Sequence, residues 1–201
     1  MVFRPKSQLS NANITYVICS GAMQKVEEKE LNGLTVSKLE AFVDEIRTKP
    51  EAAKAVNGPW RTRVEWQGGL RAKAYMRNHV ASFDEPEGLG ATDTAASAHE
   101  HVLSAVGACM MTGLVFQATR RGIKIHNAEI ALEGTFGDIK NWAGLTDDST
   151  PGYPEIKAKI FIKADADRAT LEHLWNEAWK RSVVAQTITQ GAKIVPEFEA
   201  I

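Results

Sequence analysis

Between Val102 and Phe116 the chain carries no charged residue. A helix start precedes this stretch: Ser97 is followed three residues later by Glu100, the spacing of a capping box in which each side chain satisfies an orphan backbone N–H. Val102, Val106, Cys109, Met110 and Leu114 do not keep to one stripe, so the helix is expected to be covered on nearly every side. Ala105, Gly107, Ala108 and Gly113 would let neighbouring backbones approach. Arg120 and Arg121 suit the negative end of the helix dipole, and Gly122 its C′ position. The uncharged run is shorter than the ~20 residues a bilayer requires. It reads as the central helix of a water-soluble domain, with Cys109 in its middle.

A net charge of −1 gives no electrostatic case for nucleic acid or an anionic membrane as partner. No signal-peptide run opens the chain, so a cytoplasmic location is expected. Two cysteines, Cys19 and Cys109, make no disulfide framework.

Residues 1–58 read as a mostly helical extension and 59–201 as the main domain, parted at Asn57-Gly58-Pro59. In the extension, Ile14 to Cys19 favours a strand and Asn32-Gly33 a turn. Leu34, Leu39, Phe42, Val43 and Ile46 recur at helical spacing, and Pro50 opens a short second helix. From Trp60 the period changes to strand, Gly-Gly turn, strand, with Val64, Trp66, Ala72, Ala74 and Met76 expected to face inward. Beyond the central helix, residues 123–136 pattern as a strand. After a polar loop over 137–152, Ile156, Ala158, Ile160 and Ile162 alternate with Lys157, Lys159 and Lys163. Asp165 or Asp167 caps a further helix carrying Leu171, Leu174, Trp175 and Ala178. Ser182 to Thr189 continues as a helical turn, and residues 192–198 close as an edge strand. The class is α+β with a largely antiparallel sheet. One subunit has too few elements to cover so apolar a helix. An obligate homodimer is therefore expected, with Cys109 near the interface.

Trp66-Gln-Gly-Gly, Arg77-Asn-His79, Asp84-Glu85-Pro86, Gly90-Ala-Thr92-Asp93-Thr94 and Glu100 with Ala105-Val-Gly-Ala-Cys109 together resemble the OsmC/Ohr family of osmotically inducible and organic hydroperoxide resistance proteins. The resemblance implies an OsmC-like fold, with an antiparallel sheet wrapped around a buried helix in an intertwined homodimer. It implies active sites at the subunit interface, where a thiolate attacks a hydroperoxide, an arginine and a glutamate position it, and a second cysteine resolves the sulfenic acid. On this resemblance Cys109 is the peroxidatic cysteine, Glu100 the glutamate and Arg77 the arginine. The segment that carries the resolving cysteine in the family reads Ser182-Val183-Val184-Ala185 here, so the two-cysteine cycle is closed at that position. An external thiol, or Cys19, would have to rescue the oxidised sulfur.

A thiol in apolar surroundings resists ionisation and becomes a nucleophile only beside a cation such as Arg77 or Arg71. Those two arginines, six apart, share a face if their strand is unbroken. Nine residues at about 100° each put Glu100 and Cys109 on opposite faces of the helix, roughly 13 Å apart along it. Glu100 therefore acts by orienting an arginine or through the other subunit. His99 and His101, two apart on a helix, point away from each other and cannot chelate one ion. No metal or other cofactor is expected. Asp84-Glu85-Pro86 reads as a turn, and Trp142, Trp175 and Trp179 as core packing ahead of pocket walls. Two functions remain open. One is a one-cysteine hydroperoxide reductase; the other is a dimeric protein that binds a small, partly apolar ligand without turnover.

Overall fold

The computed structural model describes residues 14–19 and 22–200, with backbone alone for the first two strands. It falls into two units, one up to Val56 and one from Asn57 onward.

The first unit contains β1 (Ile14–Cys19) paired antiparallel with β2 (Ala22–Glu27). The two-residue strands β3 (Glu30–Leu31) and β4 (Leu34–Thr35) close over the Asn32-Gly33 turn. Helix α1 (Val36–Thr48) ends before Lys49, and Pro50 opens α2 (Pro50–Asn57). Pro50 has no N–H to lose and its fixed φ suits the first helical turn. The side chain of Cys19, and with it any resolving role, lies outside the described residues.

The second unit begins with a three-stranded antiparallel sheet of β5 (Arg63–Trp66), β6 (Ala72–Met76) and β7 (His79–Phe83). The sequence suggested two strands here. A second reversal at Arg77-Asn78 makes the third, with Arg77 in the left-handed region at φ 55°. Among the five positions expected to face inward, only Ala74 is buried; Val64 and Trp66 are 60% and 77% exposed. Val64 stands opposite Ala74 and Trp66 opposite Ala72, so all share one face, but β5 is the edge strand and its side chains are left uncovered.

Helix α3 (Ala98–Arg120) is the spine of this unit. It packs against the antiparallel pair β8 (Ile125–Gly134) and β9 (Ile156–Ala164), and against helices α5 (Arg168–Lys180) and α6 (Val183–Thr189). A one-turn helix, α4 (Ile139–Trp142), stands in the β8–β9 connection. Asp167, not Asp165, caps α5, accepting the Thr170 N–H at 2.8 Å; Asp165 meets His126 instead. Residues 192–198 form no strand: they run as irregular chain, with Ile194 and Phe198 87% and 93% exposed.

The core has two parts. Leu114, Ala118, Ile123, Leu174 and Ala178 form one, with Ile160 and Ile162 packed against it. Val106, Met110 and Ala185 form the other, backed by Ile130 and Leu132. The small residues of α3 divide by role. Gly107 permits a close approach, since a Cβ there would lie 2.6 Å from the Leu132 side chain, whereas one at Gly113 would only touch the Ala178 backbone at 3.7 Å. Ala105 and Ala108 are exposed. By length and composition α3 could cross a membrane, but its buried face is spent on β8, β9, α5 and α6.

Candidate functional site

The expectation that α3 would be covered on nearly every side is not met within the second unit. Val106, Met110, Leu114 and Ala118, spaced by four, carry the buried stripe. Ala105, Ala108 and Thr112 occupy the other side and are exposed, as is Val102 at the head of the buried row. Cys109 sits on the rim between them as a free, half-buried thiol.

Glu100 is engaged at the start of the same helix. Its Oε2 accepts both the Ser97 backbone N–H and the Ser97 hydroxyl, each at 2.8 Å, closing the capping box. These hydrogen bonds hold its carboxyl below the usual range, with Ser97 the leading cause and His99 and His101 adding to it. The separation of Glu100 and Cys109 along one helix therefore stands, because α3 begins at Ala98.

The two arginines do not share a strand. Arg77 lies in the β6–β7 turn, its guanidinium 5.9 Å from the centre of the Trp60 ring. Arg71 folds back onto the Gly-Gly turn, donating to the carbonyls of Gly68 and Gln67 at 3.3 Å. Both guanidiniums are thus engaged at the turns of the sheet.

His99 and His101 part company as helix geometry requires. The His99 ring packs at 4.7 Å from Phe136 and lies 3.0 Å through Nε2 from the Ser97 hydroxyl. The His101 ring sits 4.4 Å from Phe83. Tyr153 stacks on Phe136, and burial, followed by the Glu100 charge, raises its hydroxyl above the usual pKa.

Asp84 is more than part of a turn. It is 1% exposed and gathers four donors: the Thr92 hydroxyl at 2.6 Å, the Thr94 hydroxyl at 2.8 Å, the Thr94 N–H at 3.0 Å and the Glu85 N–H at 2.9 Å. Those bonds, led by Thr92, hold its carboxyl far below the ordinary range. The knot ties the end of β7 to the loop that delivers Ser97 to the helix start. The signal in the sequence was the Thr-Asp-Thr spacing; Asp93, at φ 50°, turns the chain so that the hydroxyls on either side of it reach one carboxylate oxygen.

Ser182 is also structural. It is buried and caps α6, its hydroxyl accepting the Ala185 N–H at 3.1 Å. A thiol is a weaker acceptor for that N–H, so the serine suits a cap. Near it lies a cavity of 260 Å³ walled by Val106, Met110, Ile156, Trp175, Trp179 and Ile188. Trp175 packs against both parts of the core as expected and also lines this space, as does Trp179, which is 36% exposed. Trp142, 55% exposed, walls a second cavity at the other end of α3.

The fold, an antiparallel α+β domain around an apolar helix, defines an OsmC-type architecture. The model of the OsmC-like protein family matches residues 91–197, and the chain belongs to that family. It is similar to the solved OsmC-like protein from Mycoplasma pneumoniae, with a TM-score of 0.57 at 15% identity over 68% of this chain and 90% of that one. It is also similar to an OsmC-like protein of unknown function from Vibrio cholerae, with a TM-score of 0.54 at 9% identity over 65% of this chain and 93% of that one. At such identities the likeness is one of fold. No curated protein matches the chain.

Proposed function

We propose that the protein is a one-cysteine, thiol-dependent hydroperoxide reductase that works in the cytoplasm as a homodimer, with residues 59–201 as its catalytic domain and residues 1–58 as an extension. The observation that carries this reading is the position of Cys109. It is a half-buried free thiol on the rim of an uncharged helix face that the chain's own elements leave open. A second copy laid on that face would exclude water from the sulfur and bring new side chains to it. Arg77, on an exposed turn, is the residue we assign to that task, as the cation that favours the thiolate and polarises the O–O bond. Glu100 has a positioning role.

In the first step the Cys109 thiolate attacks the distal peroxide oxygen. The S–O bond forms as the O–O bond breaks, and the departing alkoxide takes a proton, leaving sulfenic acid and an alcohol. An external thiol then condenses with the sulfenic acid, releasing water and forming a mixed disulfide. A second external thiol displaces Cys109, restoring its reduced form and leaving the external pair as a disulfide. Ser182 takes no part, because a hydroxyl cannot form the internal disulfide.

The second reading, a binder of a small apolar ligand, is favoured by the 260 Å³ cavity, whose walls are nearly all apolar and include no cysteine. Steady-state consumption of cumene hydroperoxide with a small dithiol as reductant separates the two. The reductase reading expects catalytic consumption, loss of it in Cys109→Ser and retention in Ser182→Ala. If the Cys109→Ser variant matches the parent, the binder reading replaces it.

A further inference from the structure

The 190 Å³ cavity at the N-terminal end of α3 is walled by Leu89, Phe136, Ile139 and Trp142, and its charged lining residues are Glu85 and Asp138. It lies wholly within the second unit. His99, which also lines it, is about 15 Å along the helix from Cys109, so this is not the thiol site. Its loop is held from within. Asn141 donates to the carbonyls of Thr146 and Ser149 at 2.9 and 2.8 Å, the Ser149 hydroxyl donates to Asp138 at 2.7 Å, and the Gly137 N–H meets the Gly152 carbonyl at 3.0 Å. Trp142 and Phe136 thus stay 55% and 41% exposed on a tied scaffold, which is how a binding wall is kept open rather than collapsed.

Charge selects the ligand. Asp138 is held below the usual carboxyl range by its bonds from Ser149 and the Lys140 N–H. Neither it nor Glu85 has an ion-pair partner among the described residues. No lysine or arginine lines the space. The positive end of α3, which would favour an anion, is already met by the Glu100 carboxylate. Aromatic faces beside uncompensated carboxylates suit a cation on an apolar body. The volume is below the roughly 300 Å³ at which pockets begin to take drug-sized molecules, so the body is compact.

We propose that this cavity binds a compact organic cation, an ammonium or quaternary ammonium group on a small apolar frame, with Trp142 and Phe136 against the frame and Glu85 and Asp138 facing the charge. The test is calorimetric titration of the full chain with benzylammonium and, separately, with its neutral counterpart benzyl alcohol. Benzylammonium is expected to bind about tenfold or more tightly than the alcohol. Glu85→Gln and Trp142→Leu should each weaken it by about the same factor, with thermal melts reporting that both remain folded. Amide shifts at Ala98 and His99 should locate the ligand. Equal affinity for amine and alcohol, no binding of the amine at roughly 10 mM, or unchanged binding in Trp142→Leu would each overturn the proposal. Peroxide turnover is not a readout, so its presence or absence leaves this test intact.

Discussion

Asp84 and Thr94, ten positions apart, are joined twice: the Asp84 Oδ2 accepts the Thr94 backbone N–H at 3.0 Å and the Thr94 hydroxyl at 2.8 Å. With Thr92 on the same oxygen at 2.6 Å, the pair fixes the loop that leads into the Ser97–Glu100 cap. Asp84→Asn keeps the shape but replaces one acceptor oxygen with a donor that faces other donors. It should lower the thermal midpoint by about 5 °C or more. Thr94→Val added to Asp84→Asn should cost less than the two separate effects summed, since both act on one knot.

The same knot sets an acid limit. Asp84 has its folded pKa depressed below an ordinary value of 3.8, and Glu100 below 4.5. A depressed carboxyl contributes stability that is fully present above its unfolded pKa and is lost as pH falls through the folded one. Urea midpoints should therefore be insensitive to these groups near neutrality and fall as pH drops below about 4. In Asp84→Asn that fall should be shallower.

Leu114 has no exposed surface and lies in the larger core. Leu114→Ala should cost about 2–5 kcal/mol in denaturant unfolding. Ala108, on the open face of α3, should behave differently. Ala108→Lys should abolish the dimer in sedimentation experiments, because it sets a charge in the uncharged surface offered to the second copy. A parent protein that sediments as a monomer would contradict this.

Gly137 has no room for a side chain: a Cβ there would lie 2.5 Å from the Thr150 carbonyl oxygen and 3.0 Å from that of Gly152. Both obstacles are backbone. Gly137→Ala should open the loop at a cost of about 1–3 kcal/mol, seen as faster amide exchange across residues 138–152.

How much of this was legible in the sequence depended on how local the cause was. Helix α3, its Ser97–Glu100 cap and its end at Arg120-Arg121-Gly122 follow from capping chemistry within a few residues. So does the β9 alternation, in which Ile160 and Ile162 reach the core. The turn at Arg77-Asn78 was missed because it has no glycine; Arg77 supplies the positive φ itself. Val64 and Trp66 share the face of buried Ala74 yet stay exposed, because alternation reports a face but not that β5 would be the edge strand. The Asp84 knot was seen only as a turn, since its partners lie eight and ten residues away. The site divides in the same way. The position of Cys109 on α3 and the engagement of Glu100 at its start were readable from spacing, whereas the place of Arg77 depended on a reversal the sequence pattern did not announce.

On the proposed function, Cys109 is a reacting sulfur. This is tested most directly by exposing the folded protein to one equivalent of cumene hydroperoxide with dimedone present and mapping the adduct by peptide mass spectrometry. A sulfenic adduct is expected at Cys109, forming far faster in the folded protein than in urea. An adduct that appears at Cys109 only after unfolding, or at the same rate in both states, would contradict it.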